Sequence, residues 1–157
     1  MIRPTDPFRR EHAELLEHID HLRHAAREVP RLAPDERELL VARILGFLRG
    51  TLVPHARAEE EVLYPEWCTL VGFADAAGPM IHDHEAIVAR VDRLAETDVA
   101  DVDTLQELLY GLYALVGTHL RKEEVLQLPA FDAAPPEVTE AVLERMGALA
   151  GHAHHHA

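Results

Sequence analysis

A chain of 157 residues, 48% apolar and 27% charged, can bury one hydrophobic core without staples and is too apolar to be disordered. A formal net charge of −13 argues against nucleic acid and against anionic membrane surfaces as partners. The single Cys68 can form no internal disulfide and the N-terminus has no apolar signal region, so a soluble cytoplasmic protein is expected.

Thr5-Asp6-Pro7 supplies an N-cap and an early proline, and the first helix is expected over residues 7–29. Leu15, Leu16, Ile19, Leu22 and Ala26 form its apolar stripe, and His12 falls on the same face. His18, His21 and His24 fall off it and read as solvated surface residues. Asp35 and Glu38 have capping-box spacing at the start of a second helix over 35–64. Its stripe runs through Ile44, Leu45, Leu48 and Leu52 and continues, in the same rhythm, into His55 and Glu59. Pro54 is expected to bend this helix, and Tyr64-Pro65 to close it.

A loop ended by Gly78-Pro79 leads to a third helix over 80–96, with His84 in phase with Ile87, Val88, Val91 and Leu94. His82 points about 160° away from His84 and reads as exposed. Asp103 and Gln106 suggest a second capping box for a fourth helix over 104–128. Here Leu105, Leu108, Leu109 and Leu112 lead to His119 and Glu123, and Leu128-Pro129 marks the stop. A shorter amphipathic helix over 136–149 follows Pro135-Pro136. Residues 151–157 form a His-rich tail, expected to be disordered and set aside from the site.

The two halves repeat. Glu11-His12 through Leu22 matches Asp83-His84 through Leu94, and His55-x3-Glu59-Glu60 matches His119-x3-Glu123-Glu124. Two helical hairpins with short connections predict an all-α, up-down-up-down antiparallel four-helix bundle with a short fifth helix. In each HxxxE, positions four apart lie about 40° apart around the helix axis, so imidazole and carboxylate share a face. Carboxylates on a face of Leu and Val are costly unless a cation meets them, and no Lys or Arg shares that face. A dinuclear metal centre of His12, His55, Glu59, His84, His119 and Glu123 answers that cost, with room for an oxo or hydroxo bridge and open positions. Zinc is disfavoured, since its structural sites prefer a closed tetrahedral set, usually with thiolates.

This series of residues resembles the H-HxxxE-H-HxxxE pattern of hemerythrin-like proteins with the HHE cation-binding domain, over residues 5 to 131. The Leu-Tyr-Pro that follows Glu-Glu near residue 63 is similar to that family as well. The resemblance implies two non-haem iron ions, one on His12 and His55, the other on His84 and His119, bridged by Glu59 and Glu123. It implies reaction with O2, nitric oxide or peroxide. Oxygen carriers of the family have a second histidine where this chain has Val88, and HxxxxD where it has His119-x3-Glu123. A centre with one histidine fewer favours redox chemistry or sensing over reversible oxygen transport.

Three functions compete. A sensing or binding module would need a separate redox or signalling protein as partner. A peroxide-decomposing, catalase-like oxidoreductase would need a proton shuttle, for which Tyr64, Tyr110 and Tyr113 are candidates although packing is the better reading of each. Iron storage or delivery ranks third, since ferritin-type sites use Glu-x-x-His spacing instead.

Overall fold

The computed structural model describes residues 1–155. Among them there is no strand, and four long helices form the expected antiparallel up-down-up-down bundle, crossed by a fifth. We label them α1 (Asp6–Glu28), α2 (Pro34–Val71), α3 (Gly78–Glu96), α4 (residues 102–133) and α5 (Pro136–His155). A single 3-10 turn, Val29–Arg31, ends the first hairpin arm at Pro30.

The helix starts differ from the sequence expectation in detail. Thr5 is the N-cap of α1, yet its hydroxyl caps nothing; it donates to Asp132 at 2.8 Å and ties the start of α1 to the end of α4. The α2 cap lies two residues earlier than expected, where Glu36 accepts the backbone N–H of Ala33 at 3.0 Å. The α4 cap is Asp101, which accepts from the Thr104 N–H at 3.2 Å. Gln106, assigned to a capping box from its spacing, instead donates to the Ala26 carbonyl at 2.8 Å and joins α4 to α1.

Neither Pro65 nor Pro129 stops its helix: α2 runs on to Val71 and α4 to residue 133. The reason lies in the turn before each proline. Tyr64 N–H bonds the Glu59 carbonyl and Leu128 N–H bonds the Glu123 carbonyl, five residues back instead of four. A wide turn of this kind takes up one extra residue and lets the chain meet a ring that lacks an N–H without leaving the helix. The bend expected at Pro54 takes the same form, over Leu48–Leu52. The α2 helix finally ends at Gly72, the one residue with positive φ (72°) among the described residues, with Phe73 N–H on the Cys68 carbonyl and Gly72 N–H on that of Thr69. The fifth helix passes its expected end at 149 and reaches His155; the rest of the expected tail, residues 156 and 157, lies outside the described residues.

By length and composition α2 could cross a membrane, with a mean hydropathy of 1.3 in its most apolar window. Its Val41, Ile44, Leu48 and Leu52 pack instead into the bundle interior. The core falls into two apolar clusters. One, around Ile19, Leu48, Leu94 and Leu109, fills the end of the bundle near the α1–α2 and α3–α4 connections. The other joins Phe8, Leu63, Tyr64, Met80, Leu128 and Phe131 to Val142 and Met146 of α5. His12, His55, Glu59, His84, His119 and Glu123 all fall between those clusters along their helices, and all six are buried.

Candidate metal centre

All four bundle helices deliver to this polar layer, because each places it one turn from apolar residues that the core fixes. On α1, His12 lies between Phe8 and Leu15; on α3, His84 lies between Met80 and Ile87. Glu59 is 1% exposed and Glu123 fully buried. The two oxygens of Glu59 reach both histidine pairs: Oε2 is 3.3 Å from His55 Nε2, and Oε1 is 3.3 Å from His84 Nε2. Glu123 Oε1 lies 3.0 Å from His119 Nε2. The ligand atoms of His12, His55 and Glu59 fall within 4.8 Å of one another, and so do those of Glu59, His84 and His119. The structure therefore brings the six residues together, with Glu59 common to both groups.

Around this layer stands a ring of carboxylates that repeats with the sequence. His55 Nδ1 donates to Glu11 at 2.9 Å, and His119 Nδ1 to Asp83 at 2.9 Å. His12 Nδ1 lies 3.4 Å from Glu124 and His84 Nδ1 lies 3.4 Å from Glu60, longer contacts of the same kind. The residue before each lone histidine thus holds the HxxxE histidine, and the residue after each HxxxE glutamate faces the lone histidine of the other hairpin. Carboxylates on Nδ1 fix the imidazole tautomer and leave Nε2 turned inward, the arrangement common around bound metals. Sequence reasoning quoted these four acids only as part of the repeat. Their signal was there, as an acid before each lone His and after each HxxxE.

Tyr64 is the other residue whose place spacing alone did not give. Its ring stacks on His84, 5.4 Å between centroids, and its hydroxyl is 3.1 Å from both His84 Nε2 and His119 Nε2. Tyr110 and Tyr113 lie elsewhere: Tyr110 is exposed and Tyr113 packs against the cluster around Ile19 and Leu109, with Arg23 over its ring.

The electrostatics of the layer favour a positive charge between its two carboxylates. Among the described residues, the close ion-pair partners of Glu59 and Glu123 are histidines alone. Burial raises both carboxyls. For Glu123 the charge on Glu59 adds to burial and holds its pKa well above the carboxylate range. For Glu59, burial is outweighed by the charge on His55 and by close approach of Glu123, His55 and His84, which hold it well below. One proton between the two acids is the result. Burial depresses His55, but Glu59 and Glu11 overcome it and push its pKa up to about 10. Burial dominates at His12 and His119 and lowers both.

Several inward atoms find no hydrogen-bond partner: both ring nitrogens of His12, His55 Nε2, Glu59 Oε2 and both oxygens of Glu123. Each orphan of this kind costs about 1–3 kcal/mol, more when charged. His84 Nε2 and His119 Nε2 are 2.9 Å apart. Two nitrogens bonded at right angles to one ion, each about 2.1 Å from it, stand about 3.0 Å apart. The donor set therefore fits a pair of cations that accept neutral nitrogen and carboxylate oxygen.

A buried His and Glu cluster between the helices of an up-down-up-down bundle defines a metal-binding helical domain. The family model described as Hemerythrin HHE cation binding domain matches residues 3–131, and the chain belongs to that family. No curated protein and no solved structure matches the chain.

Proposed function

We propose that this chain is a non-haem di-iron protein that binds or reacts with a small oxidant, O2, nitric oxide or hydrogen peroxide, in redox sensing or stress defence. His12 and His55 would hold one ion, His84 and His119 the other, with Glu59 and Glu123 between them. The observation that carries this reading is Glu59, one buried carboxylate whose two oxygens face two separate histidine pairs. When bound, the iron pair supplies open coordination positions and the capacity to exchange electrons with a small oxidant.

The chain's own residues do the rest. Glu11 and Asp83 hold His55 and His119 by Nδ1, while Glu124 and Glu60 stand 3.4 Å from Nδ1 of His12 and His84. The two apolar clusters above and below keep bulk water from the layer. Val88 adds no donor at the place where oxygen carriers of this family have a further histidine, which supports reaction or sensing over transport.

A specific observation favours a second reading, peroxide decomposition. Tyr64 puts a hydroxyl within 3.1 Å of His84 and His119, and burial, with the charges on Glu59 and Glu123, raises its pKa, so that it stays a neutral hydroxyl able to donate a hydrogen bond to a peroxide oxygen held beside those histidines. Anaerobic loading with ferrous iron, metal analysis and an optical spectrum test the first reading. About two irons per chain and a charge-transfer band on adding O2 or nitric oxide are expected. Iron that loads without any spectral response points to storage or delivery instead. Oxygen evolution from peroxide, lost in Glu59→Ala and Glu123→Ala, separates the enzyme from the sensor.

A further inference from the structure

Two cavities share one wall of the bundle. A depression of about 390 Å³ lies between α2 and α3, rimmed by Arg57, Glu60, Glu85 and Asp92. Behind it an inner cavity of about 10 Å³ touches His55, Glu59, His84 and His119. Val53, Ala56, Val88 and His84 line both spaces. The first three side chains are thus the partition between solvent and the centre.

The inner wall is otherwise Leu52, Ile87, Val116 and Leu120. A space of this size admits about one water-sized molecule, and walls of this chemistry offer a hydrated ion no replacement for its water. A neutral molecule of two atoms suffers least there. The internal repeat supplies a control within the same chain. Gly117, Leu120 and Leu16 occupy the places that correspond to Val53, Ala56 and Val88. Leu120 is 2% exposed and puts a branched side chain where Ala56 has a methyl group. The depression beside Leu16 is lined by Ala13, Glu17, His18, Asp20 and His21, and by none of the six residues of the centre. Of the two repeat-related faces, the α2–α3 face holds the opening; a separate cavity of about 190 Å³ beneath α5 touches His55 beside Glu11 and none of the other five residues of the centre.

We propose that Val53, Ala56 and Val88 form the gate through which a small neutral ligand reaches the centre, and that Val88 sets its size limit. A β-branched side chain on a helix has one strongly preferred rotamer, and an alanine has none to change, so the gate has a nearly fixed width. The proposal rests on the di-iron reading for its ligand, but the route itself can be tested without iron.

The experiment compares wild type with Val88→Phe, Ala56→Phe and Val88→Ala, with Leu16→Phe as the repeat-related control. In ferrous-loaded protein, the rate of nitric oxide binding by stopped flow should fall about tenfold or more in both gate-filling variants. It should rise in Val88→Ala and stay unchanged in Leu16→Phe. In metal-free protein, relaxation of the Ile87, Val116 and Leu120 methyl groups by dissolved O2 should weaken in Val88→Phe. Melting curves and helical content confirm folding, and Val88→Leu replaces Val88→Phe should the latter not fold. A nitric oxide rate in Val88→Phe equal to wild type, or an equal slowing in Leu16→Phe, overturns the gate. So do inner methyl groups that O2 reaches as well in the variant. Methyl groups shielded by Val88→Phe, in a protein whose loaded form ignores nitric oxide, uphold the gate and sink the di-iron reading instead.

Discussion

His12 and His55 lie on the side that α5 covers, whereas His84 and His119 face Tyr64 and a charged pair, Asp83 and Lys122. Each histidine pair inherits the same two outer carboxylates from the repeat. They diverge at single positions. Tyr64 corresponds to Leu128, so one pair has a hydroxyl within reach and the other has none. Lys122 corresponds to Ala58. Lys122 ion-pairs with Asp83, which therefore divides its charge between a lysine and His119. Ala58 packs with Val62, Val142 and Met146 beneath α5, and leaves Glu11 to His55. On the di-iron reading, the duplicated frame would make two unequal places for metal, one beside the histidine whose carboxylate is undivided, the other beside the Tyr64 hydroxyl. That reading assigns chemistry to the second place and tight holding to the first.

The frame itself breaks most completely at Glu59. Glu59→Gln keeps the shape but removes the charge that both pairs share, and metal content should fall from about two ions per chain to near zero. Glu123→Gln, whose closest imidazole contact is His119, should lose the second ion first. Metal analysis after gel filtration distinguishes the two, and equal loss from both variants would contradict the sharing of Glu59.

The next effect divides the pairs by chemistry. Tyr64→Phe should retain both ions, yet slow peroxide decomposition on the order of a hundredfold, the usual loss when a positioned acid is removed. Leu128→Phe, at the corresponding place, should change neither. Oxygen evolution at fixed metal content is the measurement. A Tyr64→Phe protein as fast as wild type would reduce Tyr64 to packing.

Proton release comes third. At neutral pH the metal-free protein holds a proton on His55, whose pKa is pushed up to about 10, and one on Glu123, whose carboxyl is held high. Both must leave before nitrogen and oxygen can bind a cation, so loading should release about two protons and apparent affinity should fall as pH falls. Acid released into weakly buffered solution during titration with metal measures this. Uptake without acid release would mean that the six residues are not the ligands.

Periodicity placed the six residues because a helical stripe is a local property, and a histidine or glutamate on a stripe of Leu and Val is visible in the chain alone. Two things were not local. Prolines 65 and 129 read as stops, since their missing N–H breaks a regular ladder; the wide turns before them spare the helix, and no periodic pattern of side chains announces such a turn. Those turns also explain Tyr64. Five residues after Glu59 on a regular helix, it would lie about 140° from the site, but one extra residue in the turn brings it back to about 40°. The carboxylate ring was hidden differently: Glu60 serves His84 on α3 and Glu124 serves His12 on α1, pairings between hairpins that no spacing within a helix can state.

The smallest effect tests the inequality itself. Carboxylates on a ligating imidazole typically matter about 10–100-fold in metal affinity, so Glu11→Gln should weaken the first place by about that much. Lys122→Met works in the opposite sense and on the other pair. With the ammonium gone, Asp83 gives its full charge to His119 Nδ1, His119 becomes a more basic donor, and the second place should bind metal up to about tenfold more tightly. Lys122 is about one-third exposed, so water already screens its pull on Asp83 and keeps the gain near the lower end. The two binding steps, resolved in a competitive titration against a chelator, should therefore move together in Lys122→Met and also in Glu11→Gln, from opposite sides. Steps that move apart in either variant would mean that the inequality comes from Tyr64 and the cover of α5, and not from how the outer carboxylates divide their charge.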